Sequence, residues 1–204
     1  MTLTDFFDKI YCINLDRRLD RWIKVNEEFR KHKFTNVERY PAIDGTKIKN
    51  NTKLLNGELG ILLTHIDLIK KCKTENIDSV LIFEDDVVFS PEIKNVRSIF
   101  NDIPENWDMI YFGGNHKYGD TPKKIVNNVY RLNYSVSLHC VAIRHTIYNE
   151  ILSILQNKEK QVDNYYTEIQ KTRNVYGIIP NLAFQTQDFS DIQNKIVNYD
   201  YLLK

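Results

Sequence analysis

The chain has 204 residues, 42% of them hydrophobic, and its 28 Lys and Arg against 27 Asp and Glu leave a formal charge of +1. That length and apolar share suit a single domain over residues 1–204 with a sizeable core. The charge balance excludes the electrostatic footprint of a nucleic-acid binder, and no run is long and apolar enough for a transmembrane segment. The opening Thr4-Asp5-Phe6-Phe7-Asp8 has acids where a secretory signal carries basic and then apolar residues, which predicts a cytoplasmic protein with no signal peptide or membrane anchor. Cys12, Cys72 and Cys140 are far apart and each sits among apolar neighbours, as reduced core residues do.

In chain order, Lys9 to Leu15 reads as a buried strand. It runs into Asp16-Arg17-Arg18-Leu19-Asp20-Arg21, three arginines within five residues, and Leu19, Trp22, Val25 or Asn26, and Phe29 then recur at helical spacing. A strand, a polar turn and a helix start can hold an anion, and guanidinium groups pair well with phosphate. The same cluster also suits a charged first turn in which Asp16 and Asp20 pair with the arginines. Val37 to Ala42 reads as a short strand closed by Ile43-Asp44-Gly45, and Lys47 to Asn56 as a loop. From Gly57 a helix follows with Leu59, Leu62, Leu63, Ile66 and Ile69 on its apolar face and His65 on a less apolar side.

Ser79-Val80-Leu81-Ile82-Phe83 is a continuous apolar run that stops at Glu84-Asp85-Asp86. Such a run suits a strand buried on both faces. The carboxyl end of a strand in an open α/β sheet is where ligands bind. Three adjacent carboxylates repel one another and call for a cation. In an extended segment Glu84 and Asp86 point one way and Asp85 the other. Hard oxygen donors of this kind hold Mg²⁺ or Mn²⁺, with water and a substrate's phosphates completing the shell. A bare Glu-Asp-Asp also suits an acidic surface turn; the strand before it favours the metal.

Pro91 to Asn101 reads as a helix and Asp108 to Phe112 as a strand closed by Gly113-Gly114-Asn115, where backbone must approach something closely. Val129–Leu132 and His139–Ile143 read as strands, Thr146–Leu155 and Asp163–Thr172 as helices. Val175–Ile179 and Leu182–Gln185 read as short late strands. Asp188 to Lys204 is polar and aromatic with no clear period.

The motifs taken together resemble glycosyltransferase family 25, which includes bacterial lipooligosaccharide galactosyltransferases and the catalytic domains of procollagen galactosyltransferases. The likeness runs from Ile13-Asn14-Leu15-Asp16-Arg17-Arg18 and Asp20-Arg21-Trp22 through Ala42-Ile43-Asp44-Gly45, Gly57-Glu58-Leu59-Gly60 and Leu63-Thr64-His65. It continues through Leu81 to Val87, Trp107 to Tyr111, Val162-Asp163, Pro180, Gln185 and Ser190-Asp191-Ile192. Each piece is short; their order and spacing cover most of the chain.

The resemblance implies a GT-A type fold, a Rossmann-like and mostly parallel α/β sheet with helices on both faces. It also implies a metal-dependent, inverting hexosyltransferase. Galactose or glucose would pass from its UDP form to a hydroxyl on a glycan or a hydroxylysine of a collagen-like chain. On this reading Glu84 and Asp86 hold Mn²⁺ or Mg²⁺, and Asn14, Arg17, Arg21, Asp44 and Asp85 line the nucleotide pocket with His65 close by. Asp163 is the preferred general base and Asp191 the second choice. Gln185 stands where procollagen relatives carry histidine, a third metal-ligand position filled here by a poorer ligand. Thr64 replaces a serine, and Ile143 to Tyr148 is bulkier and more charged than the family's small pair, which would reshape the acceptor side. Two other readings use the same motifs: an inactive relative that binds sugar nucleotide or glycan, and an unrelated metal-dependent phosphate enzyme.

Overall fold

The computed structural model describes residues 1–116, 121–192 and 195–197. In chain order it runs β1 (Lys9–Asn14), α1 (Leu19–Lys31), β2 (Val37–Pro41), α2 (Asn56–Thr74), β3 (Ser79–Glu84), β4 (Val87–Phe89), α3 (Val96–Asp102) and β5 (Met109–Asn115). There follow β6 (Lys123–Val126), β7 (Val129–Arg131), β8 (Val136–Arg144), α4 (Tyr148–Leu155), α5 (Val162–Thr172), β9 (Val175–Ile178), β10 (Ala183–Gln185), β11 (Asp188–Ser190) and β12 (Lys195–Val197).

The central sheet has eight strands in the order β2-β1-β3-β8-β5-β9-β7-β6. β1 pairs in parallel with β2 and β3, and β5 with β9; β8 and β7 run against their neighbours. It is a mixed sheet whose strands mostly point one way, flanked by helices on both faces.

Strand alternation divides the core in two. Tyr11, Ile13, Val80 and Ile82 pack with residues of α2, α4 and α5 on one face. Ile10, Cys12, Leu81 and Phe83 pack with Val25 and Phe29 of α1 and with Val96 and Ile99 of α3 on the other. All three cysteines are free and buried. No helix among the described residues is long and apolar enough to cross a membrane.

Several elements depart from the sequence pattern. The stripe of α1 that turns inward is Arg21, Val25 and Phe29, at four-residue spacing, while Leu19 is 59% exposed. Burying Val25 and Phe29 therefore carries Arg21 to the end of the sheet. The expected helix after Pro91 is a 3₁₀ turn, Pro91–Asn95, that passes into α3. β10 pairs antiparallel with β4, outside the main sheet, with Gln185 opposite Val87. β5 continues past Phe112 to Asn115 with register shifts against β8. Gly113 permits that path, since a Cβ there would lie 2.3 Å from His139 Nε2 and 2.5 Å from the Ala183 carbonyl. β11 and β12 form a small antiparallel pair within the stretch from Asp188 to Lys204; of the rest of that stretch, 193–194 and 198–204 lie outside the described residues.

Candidate active site

β1 and β3 are parallel neighbours, with Ile13 beside Glu84, so their carboxyl ends open on the same side. One cleft of about 690 Å³ lies there, within the range of small-ligand sites. Its walls include Asn14, Arg17, Arg21, Asp44, Glu84, Asp85, Asp86, Asp163, Gln185 and Asp191. All the sequence-derived site residues except His65 thus meet in one place.

Asn14, 1% exposed, is the hub of the near wall. Its Nδ2 donates to Asp85 Oδ2 at 2.6 Å and to the Arg18 carbonyl at 3.0 Å, and its Oδ1 accepts from Arg39 Nε at 2.8 Å. Arg21 Nη1 stands 2.8 Å from Asp85 Oδ1, and Nη2 pairs with Asp86 Oδ2. Both oxygens of Asp85 are therefore held by the protein. Asp86 has one oxygen held and one, Oδ1, buried with no hydrogen-bond partner. The chain turns at Asp85-Asp86 rather than staying extended. Glu84 Oε2 accepts from Gln185 Nε2 at 3.1 Å, which ties β10 to the acidic strand end.

Burial raises the Glu84 carboxyl well above the usual range, and Asp86 and Asp85 add to this. Burial also pushes Asp85 up to about 6, against the lowering pull of Arg21.

The arginine turn divides its work. Arg18 pairs with Asp20, its Nε and Nη2 each 3.0 Å from a carboxylate oxygen, and Arg39 pairs with Asp16 at 2.7 Å. Arg18 also bonds Asp191, and Arg17 Nη2 lies 3.0 Å from the other oxygen of Asp191. Asp44 caps the short 3₁₀ turn Gly45–Lys47 through Thr46 N and sits 3.7 Å from Arg17 Nε. That turn rests on the start of α2 glycine to glycine: a Cβ on Gly60 would lie 2.5 Å from the Ile43 carbonyl and 2.9 Å from Gly45 N.

On the far wall, Asp163 is the second residue of α5 and accepts from Asn164 N at 2.9 Å and Ser137 N at 3.4 Å. Burial raises its carboxyl above the ordinary value, and backbone bonds pull it back, first the one from Ser137 of β8 and then those at the helix start. A polar chain rims this wall: Gln161 Nε2 donates to Glu58 Oε1 at 2.9 Å, and Asn164 Nδ2 to Gln161 Oε1 at 2.7 Å. Tyr134 and Ser137 line it from the start of β8. Apart from Glu58 none of these carries a motif, and only the fold brings them to the cleft. Ser137 sits at φ 69°, a conformation without a sequence signal.

His65 is set apart from the cleft. It is 0% exposed, with Nδ1 3.2 Å from the Tyr166 hydroxyl, between α2 and α5. Its helix is covered on that side, so the less apolar face is core as well, and burial lowers its pKa to about 4. The segment Ile143 to Tyr148 is also remote. Arg144 pairs with Ser79 at the start of β3, stacks 4.1 Å from the Trp107 ring centroid, and bonds the Glu105 carbonyl, at the opposite end of the sheet from the acidic residues.

A divalent cation can be weighed against this donor set. Among the described residues no three His, Cys, Asp or Glu side chains form a ligating group. The unpartnered Asp86 Oδ1, with Glu84 beside it, nevertheless fits the arrangement in which one or two carboxylates share the ion with water and substrate phosphates.

The fold is thus a mixed α/β sheet with an acidic strand end facing an arginine turn in one cleft. The profile of glycosyltransferase family 25 (LPS biosynthesis protein) matches residues 7–189, and the chain belongs to that family. A glycosyltransferase 25 family member of Aedes aegypti is 30% identical over 141 residues, 58% of this chain and 23% of that protein. Mouse procollagen galactosyltransferase 2 is 27% identical over 149 residues, 62% of this chain and 24% of that protein. The match thus spans about a quarter of these relatives' length. Among solved structures, a glycosyltransferase involved in the glycosylation of the major capsid of PBCV-1 aligns with TM-score 0.43 and 11% identity over 84% of this chain and 92% of that one.

Proposed function

We propose that the chain is a single-domain, metal-dependent, inverting hexosyltransferase that moves galactose or glucose from a UDP-sugar to an acceptor hydroxyl. The observation that carries this reading is the meeting of Arg17, Arg21, Glu84 and Asp86 with Asp163 across one cleft. Guanidinium groups beside an unpartnered carboxylate oxygen suit a diphosphate and its counter-ion. A carboxylate raised by burial on the opposite wall suits a base.

In this mechanism Asp163 takes the proton of the acceptor hydroxyl as its oxygen attacks the anomeric carbon. The bond from that carbon to the diphosphate breaks on the opposite side, which inverts the centre. Arg17 and Arg21 meet the charge that grows on the leaving diphosphate. Asp86 and Glu84 would hold Mn²⁺ or Mg²⁺, which when bound neutralises the same charge. Gln185 keeps Glu84 oriented through their hydrogen bond. Asp191, gripped by Arg17 and Arg18, is already neutralised and serves as a clamp over the arginine turn rather than as the base. The name procollagen galactosyltransferase supports galactose as donor sugar and a procollagen chain as acceptor, and the family's description as an LPS biosynthesis protein supports a lipopolysaccharide acceptor instead.

Titration with UDP, UDP-galactose and UDP-glucose, with and without Mn²⁺, tests the reading. UDP binding that depends on Mn²⁺, lost in Asp86→Asn and kept in Asp163→Asn, supports it. UDP binding without metal and without donor turnover would instead make the chain a sugar-nucleotide binding module.

A further inference from the structure

We infer that Arg21 is a resident cation that holds bare divalent metal off the acidic strand end until a nucleotide diphosphate arrives to share the site. The inference rests on the metal-dependent reading above and adds to the role of Arg21 toward the diphosphate a second one toward the metal.

Four observations lead to it. Arg21 is only 8% exposed, although its head carries a full charge. Such a guanidinium stays buried only when paired, and its two terminal nitrogens are spent on Asp85 and Asp86. Its third donor, Nε, is buried and has no partner. The one buried carboxylate oxygen of the acidic triplet without a partner is Asp86 Oδ1, the other oxygen of the group that Arg21 grips.

The geometry therefore divides Asp86 between two cations. Arg21 fixes Oδ2 and leaves Oδ1 as the available metal ligand. Asn14 and Arg21 together remove Asp85 from the ligand set by occupying both its oxygens. A divalent ion at Oδ1 alone would stand close to a guanidinium in an enclosed, poorly screened place, and like charges repel most strongly there. A diphosphate changes that balance. Its oxygens bring negative charge between the two cations, and the unused Arg21 Nε–H is a ready donor for one of them. Metal and diphosphate should then bind with strong positive coupling, and by linkage each should raise the other's affinity equally.

The test is calorimetric titration of Mn²⁺ into the wild type, Arg21→Gln and Arg21→Lys, each with and without saturating UDP. For the wild type the expected result is weak Mn²⁺ binding alone and binding roughly tenfold or more tighter with UDP. Arg21→Gln should bind Mn²⁺ alone roughly tenfold more tightly than the wild type, and its coupling to UDP should shrink toward one. Arg21→Lys keeps the charge and should keep both the weak bare-metal affinity and most of the coupling. A merely structural Arg21 would not raise bare-metal affinity on removal. Bare-metal affinity in Arg21→Gln equal to or below that of the wild type overturns the inference, as does loss of coupling in Arg21→Lys. If Arg21→Gln folds only with metal, its melting temperature should rise more with Mn²⁺ alone than the wild type's, and an equal or smaller rise overturns the inference. A wild type that takes up no Mn²⁺ even with UDP fails the metal-dependent reading itself, a different and recognisable result.

Discussion

Asn14→Ala removes the side chain that joins the arginine turn to the acidic strand end. Three hydrogen bonds go with it: to Asp85 at 2.6 Å, to the Arg18 carbonyl at 3.0 Å and from Arg39 at 2.8 Å. They are not equal. Arg39 keeps Asp16 as a partner, so its loss is small. Asp85 is buried and is left with an oxygen that no donor meets. A hydrogen bond to a charged group contributes about 1.5–3 kcal/mol and a neutral one about 0.5–1.5, so the variant should lose about 2–4 kcal/mol. For a domain of this size that corresponds to a fall in Tm of roughly 5 to 15 °C. The loss should also depend on pH. Asp85 in the folded chain ionises near 6, above its ordinary 3.8, and the Asn14 bond is one of the forces holding it down. The folded carboxyl already keeps its proton to higher pH than the unfolded one, and without that bond it keeps it to higher pH still. The folded state then binds more protons than the unfolded, and stability falls as pH rises through this interval. Urea titrations at pH 4.5 and pH 8 should therefore show the larger deficit at pH 8, with Arg39→Ala within about 1 kcal/mol of the wild type at both. A deficit in Asn14→Ala no larger than that of Arg39→Ala, or one independent of pH, would refute the reasoning.

Asp163→Asn should leave Mn²⁺-dependent UDP binding intact and lower kcat by about 10²–10⁴; weakened UDP binding measured by titration would move Asp163 from the acceptor side to the donor side. His65 has a folded pKa of about 4 against an ordinary 6.5, so the folded chain excludes a proton that the unfolded chain accepts. Its contribution, on the order of 3 kcal/mol, is present above pH 6.5 and lost as pH falls toward 4. The stability gap between wild type and His65→Gln should narrow over that interval in urea titrations, and a constant gap would contradict the assignment. Gly57→Ala puts a Cβ 2.5 Å from Ile192 Cα and 2.7 Å from the Asp191 carbonyl. It should cost about 1–3 kcal/mol and speed amide exchange across Ser190 to Ile192; unchanged exchange would mean that this segment does not rest on α2.

The framework was legible where burial imposed a rule on sequence. β1 and β3 are buried on both faces and show it as unbroken apolar runs, and the acids after Phe83 mark where the sheet meets the cleft. What stayed hidden lacks such a rule. β6 is exposed along its length, so its Lys-Lys-Ile-Val carries no alternation, and its place is set by main-chain pairing with β7. β4 and β10 are three residues each and are defined only by one another. In the site, residue types were readable and their partners were not. The arginine cluster was open to two readings: Arg18 pairs locally with Asp20 as a charged turn would, but Asp16 pairs with the distant Arg39 and Arg21 with Asp85 and Asp86, partners that no local pattern announces. His65 misled because helical spacing says which residues share a face but not how many faces are covered.

The measurement that bears most directly on the whole account is a crystal grown with Mn²⁺ and UDP, with anomalous data collected to locate the metal. The manganese peak is expected beside Asp86, with the diphosphate within reach of the Arg21 guanidinium. UDP bound in the cleft with no peak beside Asp86, or a peak with the diphosphate turned away from Arg21, would contradict it.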